Sequence, residues 1–492
     1  VRHRLRWRLL QLQRLLSSVT SAATTGGRLT RRASLSGLAR SPAHSGAPRT
    51  GEMVIASDGH PDTSAEERFR RSALASLVSP VGLVSAVRPA PGLRGLPRLK
   101  MASANVGSGV PGGTREPSAG SSGGSRVLDD EYLSYVVATA EAAERYAGRM
   151  PHEQPLLATP AELDGPVLDM TRVPRCSDRE YAHPHCPVRR YDPEVPIHWS
   201  RGVDLITGRD IWVPTVMACY GFHVHGAERF VTQISTGQSV HTDPYAALLG
   251  GLTELCERDA IALTWLQKLP LPPVDPSVLT PAALEMLVWG ERRFLRTLLF
   301  DATTDLDVPT VYALQVAPHD DSLRQIIGAG TGRSLGEAAE RCLLELLTIR
   351  ECYRSETELP DDYHDFEFLD GSRMMALPRH SEAFAFLTEG LAGRCGSTGG
   401  RPLPADPKAA VEELVGRLAA AGMQAVAVDR TCRELRAAGL TAVSVVVPEL
   451  QPMSLDPLAQ FRGHPRLSEA PVRMGFASLP EEEQNQWPQP FA

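Results

Sequence analysis

The segment DPYAALLGGLTELCERDAIALTWLQ, residues 243–267, limits the possible folds more than any other stretch. It reads as one long helix from about Pro244 to Gln267, and Ala, Leu, Ile and Trp side chains cover nearly its whole circumference. A helix that is apolar all round is a buried helix. Yet Glu254, Glu257 and Arg258 stand in its middle. Residues three apart share a helix face, so the two carboxylates lie side by side. Desolvating an ionised carboxylate without a partner is costly, and two neighbouring ones also repel. Such a helix needs something to neutralise its acids.

The pattern occurs twice. AEAAERYA, residues 140–147, places Glu141, Glu144 and Arg145 at the same spacing in a helix that closes at Gly148. Arg145 and Arg258 each follow the first Glu of their pair by four residues, the favourable order for an ion pair. Most E-x-x-E-R matches are solvated salt-bridge faces, but the apolar flanks argue against that here. A hard divalent cation relieves both desolvation and repulsion, and Mg²⁺ typically takes one or two carboxylates together with substrate phosphates. A third match, Glu337, Glu340 and Arg341, opens a more polar helix and suits a solvated face. Deeper in that helix Arg341, Glu345 and Thr348 fall on one stripe, followed by Arg350.

The rest of the chain reads as a mixed α and β protein, an α+β fold with paired strands and long helices between them. A Gly/Ser-rich loop is expected at roughly 106–126, a hairpin around TGRD, and a strand in DVPTVYALQV. IIGAGTG is expected to be a glycine loop, and 407–448 a helix–strand–helix–strand unit. The boundaries implied are a basic leader over 1–65, mis-started or disordered, a catalytic body over 66–475 and a Pro-containing tail over 476–492. Residues 1–50 carry ten Arg and no Asp, Glu or Lys, which leaves 41 basic and 58 acidic side chains beyond them, a net of −17. That is a poor surface for non-specific nucleic-acid binding. No apolar run reaches the length of a membrane span. The eight Cys have no framework spacing, which points to reduced thiols and a cytoplasmic location.

Other candidates carry less. Cys176, His183, His185 and Cys186 can be written as a zinc set, but their spacing fits no standard site. His223 and His225 would share one face of a strand, where solvation is the simpler reading. Asp259 reads as a helix-positioning ion-pair partner, and Cys256 as a packing residue.

SSGGSRVLDDEYLSYVVATAEAAERYAG, STGQSVHTDPYAALLGGLTELCERDAIALTW and GAGTGRSLGEAAERCLLELLTIR, in that order, resemble the three nucleotide-binding regions of the YcaO family. GHPRLSEAPVRMG and the terminal WPQPF are similar to the end of its azoline-forming members. The resemblance implies a YcaO-like core around an ATP site without a Walker loop, and no G-x-x-x-x-G-K-[ST] occurs. It implies Glu141, Glu144, Glu254 and Glu257 as Mg²⁺ ligands or ligand positioners, and Arg145, Arg258, Arg341 and Glu345 facing the ATP. Two departures are Thr348 in the family's Glu-x-x-Gln-x-Arg pattern and His241 where a glycine is usual.

The implied reaction is ATP-dependent cyclodehydration of Cys, Ser or Thr in a ribosomally made precursor peptide, giving a thiazoline or oxazoline. Thioamide formation, or a nucleotide- and peptide-binding scaffold without turnover, are the alternatives. The resemblance further implies a leader-binding ThiF/E1-like partner protein and a homodimer. It also implies a tail stiffened by Pro488 and Pro490 that brings the Ala492 carboxylate toward the reaction as base or orienter.

Overall fold

A computed structural model describes residues 64–107, 122–149, 153–222, 224–353 and 358–491. The expected leader as far as residue 63, His223 and Ala492 lie outside these residues, while Ser64 already caps a short helix, Ala65–Arg70. Three separate sheets make the framework. The first has the order β1 (Val84–Ala90), β2 (Leu99–Val106), β3 (Ser122–Leu128), and is antiparallel throughout. Helix α1 (Glu131–Arg149) follows it and packs on β2 and β3. The second sheet combines β4 (Leu156–Ala158), β5 (Ile197–Asp204), β6 (Asp210–Pro214) and β7 (Gln238–His241) with two strands from late in the chain. Helix α2 (Pro244–Leu266) leaves β7, and α3 (Pro281–Glu291) leads to the third sheet.

That third sheet is a meander of β8 (Arg296–Asp301), β9 (Thr310–Val316) and β10 (Gln325–Thr331), backed by α4 (Leu335–Cys352). Helix α5 (Pro407–Ala420) precedes β11 (Val426–Asp429) and β12 (Thr441–Val446), which complete the second sheet in the order β4-β5-β11-β12-β7 with β6 on β5. Helix α6 (Arg466–Arg473) and an irregular tail end the described chain.

Local chemistry explains the elements. Asp130 accepts the Leu133 amide at 2.9 Å to start α1. Asp243 accepts the Tyr245 and Ala246 amides at 2.7 and 3.1 Å, with Pro244 in the first turn of α2. Leu248, Leu252, Leu263 and Trp265 of α2 are all buried, as the unbroken apolar circumference predicts.

Two expected loops are strands instead. IIGAGTG forms β10, every residue of which is buried. Its glycines let α4 lie flat on the sheet: a Cβ at Gly330 would stand 2.5 Å from both the Ala338 carbonyl oxygen and the Cys342 nitrogen. SGGSRVL likewise forms β3 rather than the end of a loop. A Cβ at Gly123 would meet the Ala142 nitrogen at 2.6 Å, so Gly is what allows β3 against α1.

An ion-pair network ties α6 to α2. Asp259 is 0% exposed and accepts both Nε and Nη2 of Arg466 at 2.6 Å, and the Gln451 amide at 2.9 Å. Arg466 also reaches Asp305 at 2.8 Å. Asp259 is therefore an ion-pair partner whose reach spans two hundred residues of sequence.

Candidate nucleotide site

The four glutamates and Glu345 come from three helices. Each meets a different sheet edge or strand approach. β3, β7 and β10 are edge strands of their sheets, so alternate amides on one side have no strand partner. Glu141 on α1 accepts the Gly124 amide of β3 at 2.7 Å. The Val240 amide of β7 donates toward Glu144, and the Ala329 amide of β10 donates toward Glu345. Glu254 accepts the amide of Gly237, just before β7, at 3.0 Å. Gly237 has φ of +85° and sits under Val445, where a side chain has no room. Glu257 makes no hydrogen bond or ion pair with a described residue.

These carboxylates crowd one another. Burial pushes the Glu144 carboxyl well above its usual range, and the charges of Glu254 and Glu141 add to this. Burial also raises Glu254, against the opposing pull of Arg258 and the Gly237 amide. Glu345 is pushed up to about 7, first by burial and then by Glu257, with Arg258 and Arg126 pulling the other way. Among the described residues Arg145 pairs with Glu141 at 2.9 Å, and Arg258 stands 3.7 Å from Glu254. The donor set is all carboxylate oxygen and under-neutralised, which fits a hard divalent cation.

A pH prediction follows. Protonation of Glu345 is favoured in the fold relative to a usual carboxyl near 4.5, so its stabilising contribution is complete below about 4.5 and lost as pH rises through about 7. The Mg²⁺-free protein is expected to lose on the order of 2–3 kcal/mol across that window. Urea titrations in chelator from pH 5 to 8 should show this loss, and Glu345→Gln should reduce its slope, with Glu144 and Glu254 supplying the remainder. An equal slope in the variant would mean that other groups are responsible.

The other candidates separate from this cluster. Arg341 is exposed, and its Nη1 donates to the Thr331 carbonyl at 3.0 Å. Glu337 pairs with Arg333, and Glu340 accepts the Thr280 hydroxyl at 2.6 Å. Thr348 is buried and donates to the Glu345 carbonyl at 3.1 Å. Arg350 turns away to Gln315 at 2.8 Å and the Leu323 carbonyl at 2.6 Å. His241 is half-buried at the end of β7 and accepts the Asp243 amide at 2.9 Å. Burial pushes the Cys256 thiol up to about 12, as suits a packing residue. Cys176 is buried while His183 and His185 are exposed, and these residues form no metal-ligand group with Cys186 among the described residues. His225 is on no strand, which corrects the shared-face expectation for it.

The tail is not frayed. The Trp265 indole donates to the Trp487 carbonyl at 3.2 Å, and the Asn485 amide to the Leu266 carbonyl at 2.9 Å. Pro488, Gln489 and Pro490 are buried, and Phe491 is 0% exposed within the core around Trp265 and Tyr312. The Arg258 guanidinium lies 4.6 Å over the Phe491 ring. Phe491→Ala is expected to cost about 3–5 kcal/mol, measurable by denaturant unfolding; a loss within experimental error would mean the ring is not held there. An apolar cavity of about 110 Å³ also borders Arg258, walled by Met217, Ile234, Leu255, Val446 and Met453.

Sequence reasoning found the acids but missed the amides that hold them, and Arg126. No motif marks a strand-edge amide, because which strands are edges is settled only by the assembled sheets.

Solved heterocyclase structures share this fold. One described as a heterocyclase in complex with substrate and cofactor aligns with a TM-score of 0.73 at 22% identity, covering 88% of this chain and 58% of its own. The heterocyclase TruD aligns at 0.58 and 24% identity, over 73% of this chain and 50% of its own. YcaO from Methanopyrus kandleri, bound with AMPPCP and Mg²⁺, aligns at 0.54 and 18% identity, over 82% and 95%. The family described as YcaO cyclodehydratase, ATP- and Mg²⁺-binding, matches residues 130–451, and the chain belongs to the YcaO family. ATP and Mg²⁺ are that family's cofactors. A curated relative, an uncharacterised protein in the tfuA 3′ region of Rhizobium leguminosarum bv. trifolii, is 30% identical over 154 residues, which cover 30% of this chain and 33% of the relative. This chain thus spans a third of that relative, 58% of the first structure and half of TruD. Among the described residues no helix is long and apolar enough to cross a membrane.

Proposed function

We propose that this chain is an ATP-dependent cyclodehydratase that converts Cys, Ser or Thr of a ribosomally made precursor peptide to an azoline. The observation that carries the reading is the convergence of Glu144, Glu254, Glu257 and Glu345, whose mutual repulsion a cation relieves. Glu141, Glu144, Glu254 and Glu257 would hold Mg²⁺, with Arg145 and Arg258, which stand beside two of them, disposed toward phosphate oxygens; Arg341 stands apart from this cluster. Bound Mg·ATP supplies phosphorylation of the amide-derived oxygen, so that phosphate rather than hydroxide departs.

The protein's own part is positioning. Gly124, Gly237, Val240 and Ala329 amides aim the carboxylates, and Arg126 and Arg258 offset their charge. Preorganised charge of this kind stabilises a phosphoryl transfer without reorganisation during the reaction. The packing of Phe491 against Arg258 supports a tail that shapes the site, with Pro488 and Pro490 as a stiff approach and Ala492 beyond it.

A leader-binding partner of ThiF/E1-like type is part of the proposal, in keeping with the structural likeness to the E. coli microcin synthetase McbBCD complex (TM-score 0.56, 12% identity). The experiment mixes the chain with such a partner and a candidate precursor, adds Mg·ATP and weighs the peptide. Loss of one water per ring is the expected result. Replacement of oxygen by sulfur would establish thioamide formation instead, and an unchanged peptide without phosphate release would leave a scaffold.

A further inference from the structure

A second set of ligand-type side chains, separate in sequence from the glutamates, is shared between β5 and the loop joining β6 to β7. We propose that His198, His225 and Glu228 form a structural zinc site that fastens this loop to β5. The three residues each offer one ligand atom, all within 4.8 Å of one another. His198 comes from β5, while His225 and Glu228 come from a short turn, so the set joins two elements distant in sequence.

Glu228 is the residue that most needs explaining. It is 1% exposed, and its only ion-pair partner among the described residues is the His198 imidazole, with Nδ1 2.8 Å from Oε1. Its oxygens otherwise accept backbone amides, from His198 to Oε1 and from His225 to Oε2, each at 2.8 Å. Those two amides fix the carboxylate's direction but bring no net charge. A buried carboxylate without an Arg or Lys calls for a cation, and two imidazoles with one carboxylate are a zinc donor set. The His198 and His225 rings already stack, with centroids 5.4 Å apart and planes at 25°. Ligands on tetrahedral zinc stand roughly 3.3 Å apart, and the set closes to that spacing when the His225 ring exchanges the Glu228 amide that it accepts for the metal. Phe222 braces the His198 ring in an edge-to-face contact, with centroids 5.0 Å apart. Because His225 faces solvent, water completes the coordination.

The location gives the site a purpose. The loop from Cys219 onward contains Thr232 and Ile234, which wall the cavity beside Arg258, and ends at Gly237, whose amide holds Glu254. Long irregular connections between strands are costly to order unless they are tied down. A zinc ion at its midpoint shortens the free span on either side.

The test uses the full chain, stripped with chelator and then exposed to zinc alone in millimolar Mg²⁺, which occupies carboxylate-only sites. After gel filtration, elemental analysis should find one zinc per chain. His225 is exposed but its ring accepts the Glu228 amide at the start of the short turn, so the far-UV spectrum is the control for His225→Ala, which should bind zinc at least about tenfold more weakly with that spectrum unchanged. Glu257→Gln should keep its zinc. Wild-type protein that retains no zinc, or His225→Ala that retains as much as wild type, would overturn the proposal.

Discussion

Glu257→Gln is expected to lower peptide-dependent phosphate release by about 10²–10³-fold, the usual cost of deleting one preorganised electrostatic contact. The same variant should fold at least as stably as the parent when Mg²⁺ is absent. Both effects have one cause. Glu257 makes no hydrogen bond or ion pair with a described residue, and its charge raises the pKa of Glu345. In the metal-free protein it repels Glu254 and Glu345 while the neighbouring Arg258 guanidinium attracts it, and glutamine removes the repulsion while keeping the shape. Thermal unfolding in chelator beside a phosphate-release assay reads both halves. Loss of stability together with loss of turnover would instead mark Glu257 as a structural residue and count against the carboxylate clamp.

Asp259→Ala should do the reverse. Asp259 lies two residues beyond Glu257 on α2, yet both its oxygens are taken by Arg466. Removing one member of a fully buried pair leaves the other charge without compensation, which costs about 3–5 kcal/mol. Arg466 keeps Asp305 as a partner, which places the loss toward the lower end of that range. Denaturant unfolding measures it directly. A change of less than about 1 kcal/mol, the size of an exposed pair, would mean that water reaches the site. Neighbouring acids on one helix thus have opposite signs in stability, one opposed by its surroundings and one matched.

How far the sequence could be read depended on the kind of signal. The apolar circumference of α2 stated its own burial, and two E-x-x-E-R repeats on such helices pointed to a shared ligand. The glycines of IIGAGTG and SSGGS were ambiguous, because Gly serves turns and close backbone approaches alike. Only the presence of α4 over Gly330 and of α1 against Gly123 decides for strands. Glu345 and Arg350 lie five residues apart on one helix, but one faces the acids and the other the Gln315 side chain. Helical phase allowed that divergence without showing where the second partner lay. The tail was hardest: polar flanks around WPQPF conceal one aromatic ring, and nothing local reveals that Trp265 and Arg258 wait to receive it.

The acids hang from the margins of three sheets that share no strand with one another. Helices already pack these sheets together, and whatever draws the acids to one point adds a further tie, much as a keystone locks an arch. Occupancy would be felt as stiffness throughout the molecule and not in one lobe alone.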